Sequence, residues 1–200
     1  MNLNYYKATV QEDWINNLYL ANGIHYASDM DVDQIATIFS TQVITTTGES
    51  KVIWDEDFCL IFINENTSLE EKREHFFHEL SHPVQHSGRQ EKMPRAFVEL
   101  QETQAAHFQL YAAMPIYIVE KYREISRKPS FLKILSEEFK LSLTFVQKRM
   151  DQIKRRIYQG RMDHQFMMNN KSVPVRYNYS SETLRLLEKS KQFKARKGAL

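Results

Sequence analysis

One helix constrains this 200-residue chain more than any other feature, because its sequence fixes both where it begins and what it can hold. Ser68-Leu69-Glu70-Glu71 has the form of a capping box: the Ser68 hydroxyl can accept from the Glu71 N–H while the Glu71 carboxylate reaches back to the Ser68 N–H. The helix is therefore expected to start near Leu69. His78-Glu79-Leu80-Ser81-His82 then falls on its body, where positions four apart share a face, so the imidazoles of His78 and His82 can converge on one metal ion. Glu79 is rotated off that line yet stays beside it, the place for a carboxylate that takes a proton from an attacking water without itself binding zinc. With 7 His in the chain, chance would produce His-Glu-x-x-His about 2% of the time, so the pattern is read as chemistry rather than accident. The competing reading is a polar, histidine-rich helix that binds nothing.

The same helix carries His75 and His86, extending a histidine stripe beside the apolar Phe76, Phe77 and Leu80. Not all four imidazoles can share one ion, since His78 and His86 would lie about 12 Å apart along a continuous helix. His75 and His86 are therefore assigned to pocket lining or to hydrogen bonds behind the ligands. Pro83 lacks an N–H and disfavours helical angles at His82, so a kink or an end of the helix is expected there. Two imidazoles leave the ion short of a ligand. The next helical stretch, from about Pro94 to Met114, offers Glu99 and Glu102, either of which can complete a two-His, one-carboxylate site, with His107 a poorer third candidate.

The chain resembles the ImmA/IrrE-type zinc metallo-endopeptidases of bacteria and their mobile elements over roughly residues 30 to 155. The resemblance rests on the extended Ile61-Phe62-Ile63-Asn64, Arg73 five residues before His78, the His-Glu-x-x-His motif, and His86 four residues beyond it. Glu102-Thr103-Gln104-Ala105-Ala106-His107-Phe108, followed by Met114-Pro115, is similar to the family's second motif. Ala106 replaces a usual Asn, Ser81 a frequent Gly, and Pro83 an apolar residue. The resemblance implies Glu102 as the third ligand beside His78 and His82, Zn2+ as the cofactor, Glu79 as the catalytic base and a zincin-like fold. It also implies a protein substrate, a helix-turn-helix transcriptional repressor encoded nearby and cleaved under stress or when a mobile element is activated. Tyr111, Tyr117 and His107 are possible oxyanion stabilisers, although packing or surface roles suit them better. The alternative to an enzyme is a non-catalytic metal-binding regulatory protein that binds a repressor partner or DNA; the intact Glu79 favours the enzyme.

Around this centre the expected fold class is α+β and predominantly helical, a small antiparallel sheet beside the active-site helix followed by a helical C-terminal part. Residues 9 to 22 and 31 to 40 read as helices, the second capped by Asp31 or Asp33. Residues 42–47, 51–55 and 58–64 read as two or three antiparallel strands separated by turns. Residues 130–157 resemble a helix, a tight turn and a helix capped by Ser142, read as an αα-hairpin on the catalytic region in preference to a DNA-binding helix-turn-helix. The expected division is a peptidase domain over 1–157, hairpin included, and a basic, partly flexible extension over 158–200 made of a loop, within residues 160 to 180, and a short helix.

Composition narrows the setting. The single Cys59 excludes a disulfide framework and, within an apolar run, reads as a buried, inert thiol. No apolar run approaches the roughly 20 residues needed to cross a bilayer, no signal-peptide core is evident, and a cytoplasmic protein that does not engage a membrane is expected. The net charge of +2 hides an asymmetry: residues 151–200 hold 12 Lys or Arg against 4 Asp or Glu. Lys189, Lys191, Lys194, Arg196 and Lys197, with Phe193 and Tyr177 or Tyr179, could touch nucleic acid or an acidic partner, though a solvated tail is the simpler account.

Overall fold

The computed structural model describes residues 3–86, 93–170 and 179–197. These form two compact units, Met1–Met162 and Asp163–Leu200.

In the first unit, α1 (Val10–Ala21) is capped by Thr9 and α2 (Val32–Ile38) by Asp31, whose carboxylate accepts from the N–H groups of Asp33 and Gln34. Three short strands follow: β1 (Gln42–Thr46), β2 (Lys51–Trp54) and β3 (Cys59–Asn64). The expected sheet was antiparallel throughout, and here the structure differs. The order is β1-β3-β2, with β3 parallel to β1 and antiparallel to β2. The physical reason is that the β2–β3 turn is a true hairpin, closed by Asp55 N–H to Phe58 O and by the Asp55 carboxylate accepting from the N–H groups of Asp57 and Phe58. The β1–β2 link is not, and β3, the most apolar strand, takes the central place where Ile61 and Ile63 are buried. Cys59 is half-buried rather than buried, and partial burial pushes its thiol above the ordinary range.

The chain then enters α3 (Leu69–Gln85), α4 (Arg95–Ala113), the short α5 (Ile116–Glu120), α6 (Phe131–Phe139) and α7 (Leu143–Asn169). α3 packs Phe76, Phe77 and Leu80 into the core, each no more than 1% exposed. The α6–α7 connection turns on Lys140 in the left-handed region, with the Leu141 N–H returned to Ser136 O. Leu135, Phe139, Leu141, Phe145 and Val146 are all buried. The first turn of α7, which a DNA reader would lead into a groove, is instead tied to α3: the Ser142 N–H donates to the Glu74 carboxylate at 2.8 Å. The segment is an αα-hairpin packed on the core.

A buried ionic knot closes the unit. Arg149 on α7 and Glu12 on α1 are both fully buried and paired at 2.5 Å. The Arg149 Nε also donates to Met114 O at the end of α4, and the Tyr6 hydroxyl donates to Glu12. Four separate segments meet at one guanidinium–carboxylate pair.

Residues 160–169, within the stretch where a loop was expected, belong to α7, because Arg161 to Met168 offers no glycine or proline to stop a helix; residues 171–178, with Pro174 and Tyr177, lie outside the described residues. The second unit comprises the last turns of α7 and α8 (Ser181–Lys197), a 17-residue helix rather than a short one, whose Thr183 N–H is capped by Ser180 Oγ. Lys189 is exposed on it, and the side chains of Lys191, Phe193, Lys194, Arg196 and Lys197 lie outside what the structure describes. No helix among the described residues is long and apolar enough to cross a membrane.

Removing one member of the buried knot leaves the other charge stranded. Arg149→Met should lower the unfolding free energy by about 3–5 kcal/mol, and adding Glu12→Gln should restore part of that loss; urea denaturation followed by circular dichroism checks both.

Candidate metal centre

The first turn of α3 is closed as its sequence requires: Glu71 N–H donates to Ser68 Oγ at 3.2 Å and Ser68 N–H to Glu71 Oε2 at 3.0 Å. Arg73 holds the helix from behind, its guanidinium donating to Met30 O at 2.6 Å and lying over the Phe77 ring. Pro83 does not end the helix, which continues to Gln85. Of the expected kink or end, the end is not found at Pro83, and the reason is position: so near the C-terminus the proline forfeits one backbone bond and the helix ends two residues later, where His86 N–H donates to His82 O. His82 therefore keeps its helical placement.

α3 and α4 bring the candidate ligands together. His78 Nε2 lies 3.3 Å from Glu102 Oε2, and His82 Nε2 lies 3.9 Å from Glu102 Oε1. One donor atom from each of the three residues falls within 4.8 Å of the others, a group that can hold a metal ion. Zinc–ligand bonds of about 2.0–2.1 Å would require these donor atoms to draw in somewhat around a cation. Burial, opposed by Glu102, lowers the pKa of His78; burial and the neighbouring His78 push down that of His82. Both imidazoles are thus biased toward the neutral form that offers a lone pair to a metal.

Glu79 stands next to this group. Its carboxyl is raised to about 7, first by burial and then by the negative Glu102, while a hydrogen bond from the β2 backbone at Val52 opposes the rise. A cation bound among the ligands would favour the carboxylate again.

The other candidates fall outside. Glu99 points to solvent in an ion pair with Arg95 at 2.8 Å, one α4 turn before Glu102. His107 is exposed on α4. His75 Nδ1 bonds Ser50 Oγ at 3.1 Å, and that hydroxyl accepts from Asn64 N–H, so His75 fastens α3 to the sheet. His86 bonds Gln101 O at 3.2 Å, fastening the end of α3 to α4 one residue before Glu102. Both side chains are thus engaged outside the group of three, in contacts that join α3 to its neighbours. The Tyr111 hydroxyl accepts from Arg156 and that of Tyr117 donates to Ile24 O, commitments to packing that take both away from an oxyanion role. One neighbour escaped sequence reasoning: Trp54 on β2 stacks on His82, its ring tilted by 20° at 6.5 Å. The alternation Val52-x-Trp54 was visible, but which strand borders α3 was not.

With this geometry in place, comparison with known proteins decides the family. The profile of Peptidase_M78, described as the IrrE N-terminal-like domain, matches residues 34–151. The chain belongs to this family. The match runs from α2 through the first turns of α7 and so contains every residue of the metal group. This M78 member is also 29% identical over 145 residues to the phage-like element PBSX protein XkdA of Bacillus subtilis (strain 168), covering 72% of this chain and 73% of that protein.

Loss of Glu102 should separate ligand from bystander. Changes behind metal ligands typically weaken affinity about 10–100-fold, so Glu102→Ala should exceed that range while Glu99→Ala leaves affinity unchanged; competitive chelator titration reads the difference.

Proposed function

We propose that this chain is a zinc-dependent endopeptidase acting in the cytoplasm, with His78, His82 and Glu102 as the metal ligands and Glu79 as the general base. The observation that carries the proposal is the convergence of two imidazoles and one carboxylate with a second, separately held carboxylate beside them. When bound, zinc supplies Lewis acidity that polarises a peptide carbonyl and makes water acidic enough to deprotonate near neutral pH. Glu79 accepts the proton of the attacking water and can pass it to the departing amine, a transfer that needs a carboxylate within hydrogen-bond reach but outside the ligand set. Trp54 and His86 flank His82 and limit how its ring can turn, which keeps the ligand geometry from drifting. A protein that only bound metal would not need Glu79 held in this place.

The proposed substrate is a helix-turn-helix repressor encoded beside this chain, an assignment supported by the resemblance to ImmA/IrrE-type peptidases and by the phage-like element from which the similar XkdA takes its name. The proposed domain arrangement keeps residues 1–157 as the peptidase and 158–200 as a basic extension, with a solvated tail as its simpler reading and contact with nucleic acid or an acidic partner as the lesser one.

Incubation of the zinc-loaded protein with that repressor tests the mechanism. Glu79→Gln should retain zinc yet cleave at least about 100-fold more slowly, the lower range for losing a general base. Equal cleavage by both proteins contradicts the assignment.

A further inference from the structure

A second, differently built site lies among α1, α4 and α7. There the start of α1, the Tyr111 face of α4 and the middle of α7 enclose an open cleft of about 700 Å³. That volume suits a small molecule rather than a lone ion. The chemistry of its walls is one-sided: Arg155, Arg156 and His107 line it together with glutamines, and no carboxylate is among the described lining residues.

The positive groups are prearranged. Arg156 is held by two bonds, from Nη2 to the Tyr111 hydroxyl at 2.8 Å and from Nη1 to Lys7 O at 2.9 Å, and neither partner carries a negative charge to cancel it. Arg155 is exposed and makes no hydrogen bond or close ion pair among the described residues. The acid one turn before it, Asp151, is bonded to Gln147 and Lys154 and is also within electrostatic reach of Arg155, so it offsets that charge only in part. Of the two acids in the first turn of α1, Glu12 is turned inward to Arg149 and Tyr6, while Asp13 is exposed and is not among the lining residues. Thr9, the cap of α1, also lines the cleft, so the positive end of a 12-residue helix opens there.

A buried donor points the same way. Gln152 is 7% exposed, and its Oε1 is taken by Arg149 at 2.5 Å. Its Nε2 makes no hydrogen bond among the described residues and is not sealed from solvent, so the amide N–H₂ can only face the cleft that Gln152 lines.

We propose that this cleft binds a small phosphate-bearing anion. Two guanidiniums, an imidazole, a buried amide donor and a helix start, with no carboxylate among the described lining residues, match the charge and the several acceptor oxygens of a phosphate group. The remaining volume accommodates the body of a phosphate ester. Gln11, on the same wall, bonds Gln85 at the end of α3 at 2.6 Å, so the cleft adjoins the helix of the metal centre while sharing none of its ligands.

Isothermal titration of the metal-loaded full chain with inorganic phosphate and, separately, with adenosine monophosphate tests this. Saturable binding with Kd of about 1 mM or tighter is expected for at least one of them. Arg155→Glu should weaken it by more than about tenfold, the worth of one hydrogen bond to a charged group, with unchanged circular dichroism and zinc content. His107→Ala should weaken it in the same direction. Tighter binding of the nucleotide would identify an ester as the ligand class, and equal binding would identify the phosphate group alone. Absence of saturable binding by both, or equal binding by the Arg155→Glu variant, overturns the proposal.

Discussion

The rotation of α3 about its own axis is the constraint on which the rest of the site depends. Phe76, Phe77 and Leu80, with Arg73 one turn before them, recur at helical spacing and are buried, and that buried stripe fixes which way every other side chain of the helix faces. His78 and His82 lie on the adjoining face toward α4, and Glu79 lies on the side of β2. A rotation of one residue, about 100°, would carry the imidazoles away from Glu102. The fold therefore spends much of its specificity on holding this helix: Arg73 ties it to the segment before α2, His75 to the sheet, Glu74 to the start of α7, and His86 to α4.

These ties explain why a carboxylate and two imidazoles can sit together. Glu102 is 42% exposed, so its charge remains partly solvated, while His82 is nearly buried and disfavours a proton. The arrangement places a charge-neutralising site where a divalent cation would satisfy one carboxylate and two lone pairs at once. Glu79 faces the β2 side at Val52 and is not among the three residues whose donor atoms converge. The separate roles proposed for the two glutamates follow from which neighbouring element each one faces.

Local chemistry was legible in the sequence, and long-range placement was not. The Ser68–Glu71 capping box and the Asp31 cap involve residues within three positions of one another, so their helix starts could be read directly. The His-Glu-x-x-His spacing needs only helical geometry. Choosing Glu102 over Glu99 required family resemblance, because both lie on α4 and only its packing against α3 distinguishes them. The parallel β1–β3 pairing was missed because turn signals cannot reveal that a later strand inserts between two earlier ones. Pro83 misled for the opposite reason: its local effect was real, but at the last turn of a helix clamped by tertiary contacts one lost bond was affordable.

The central claim is that one metal ion bridges α3 and α4 through His78, His82 and Glu102. X-ray absorption spectroscopy of the zinc-loaded protein, compared with Glu102→Ala, tests it most directly. The account predicts one zinc per chain, with two imidazoles and a carboxylate oxygen in the wild-type protein and loss of the protein carboxylate in the variant. A third imidazole or a sulfur ligand, or an identical zinc environment in both proteins, would contradict it.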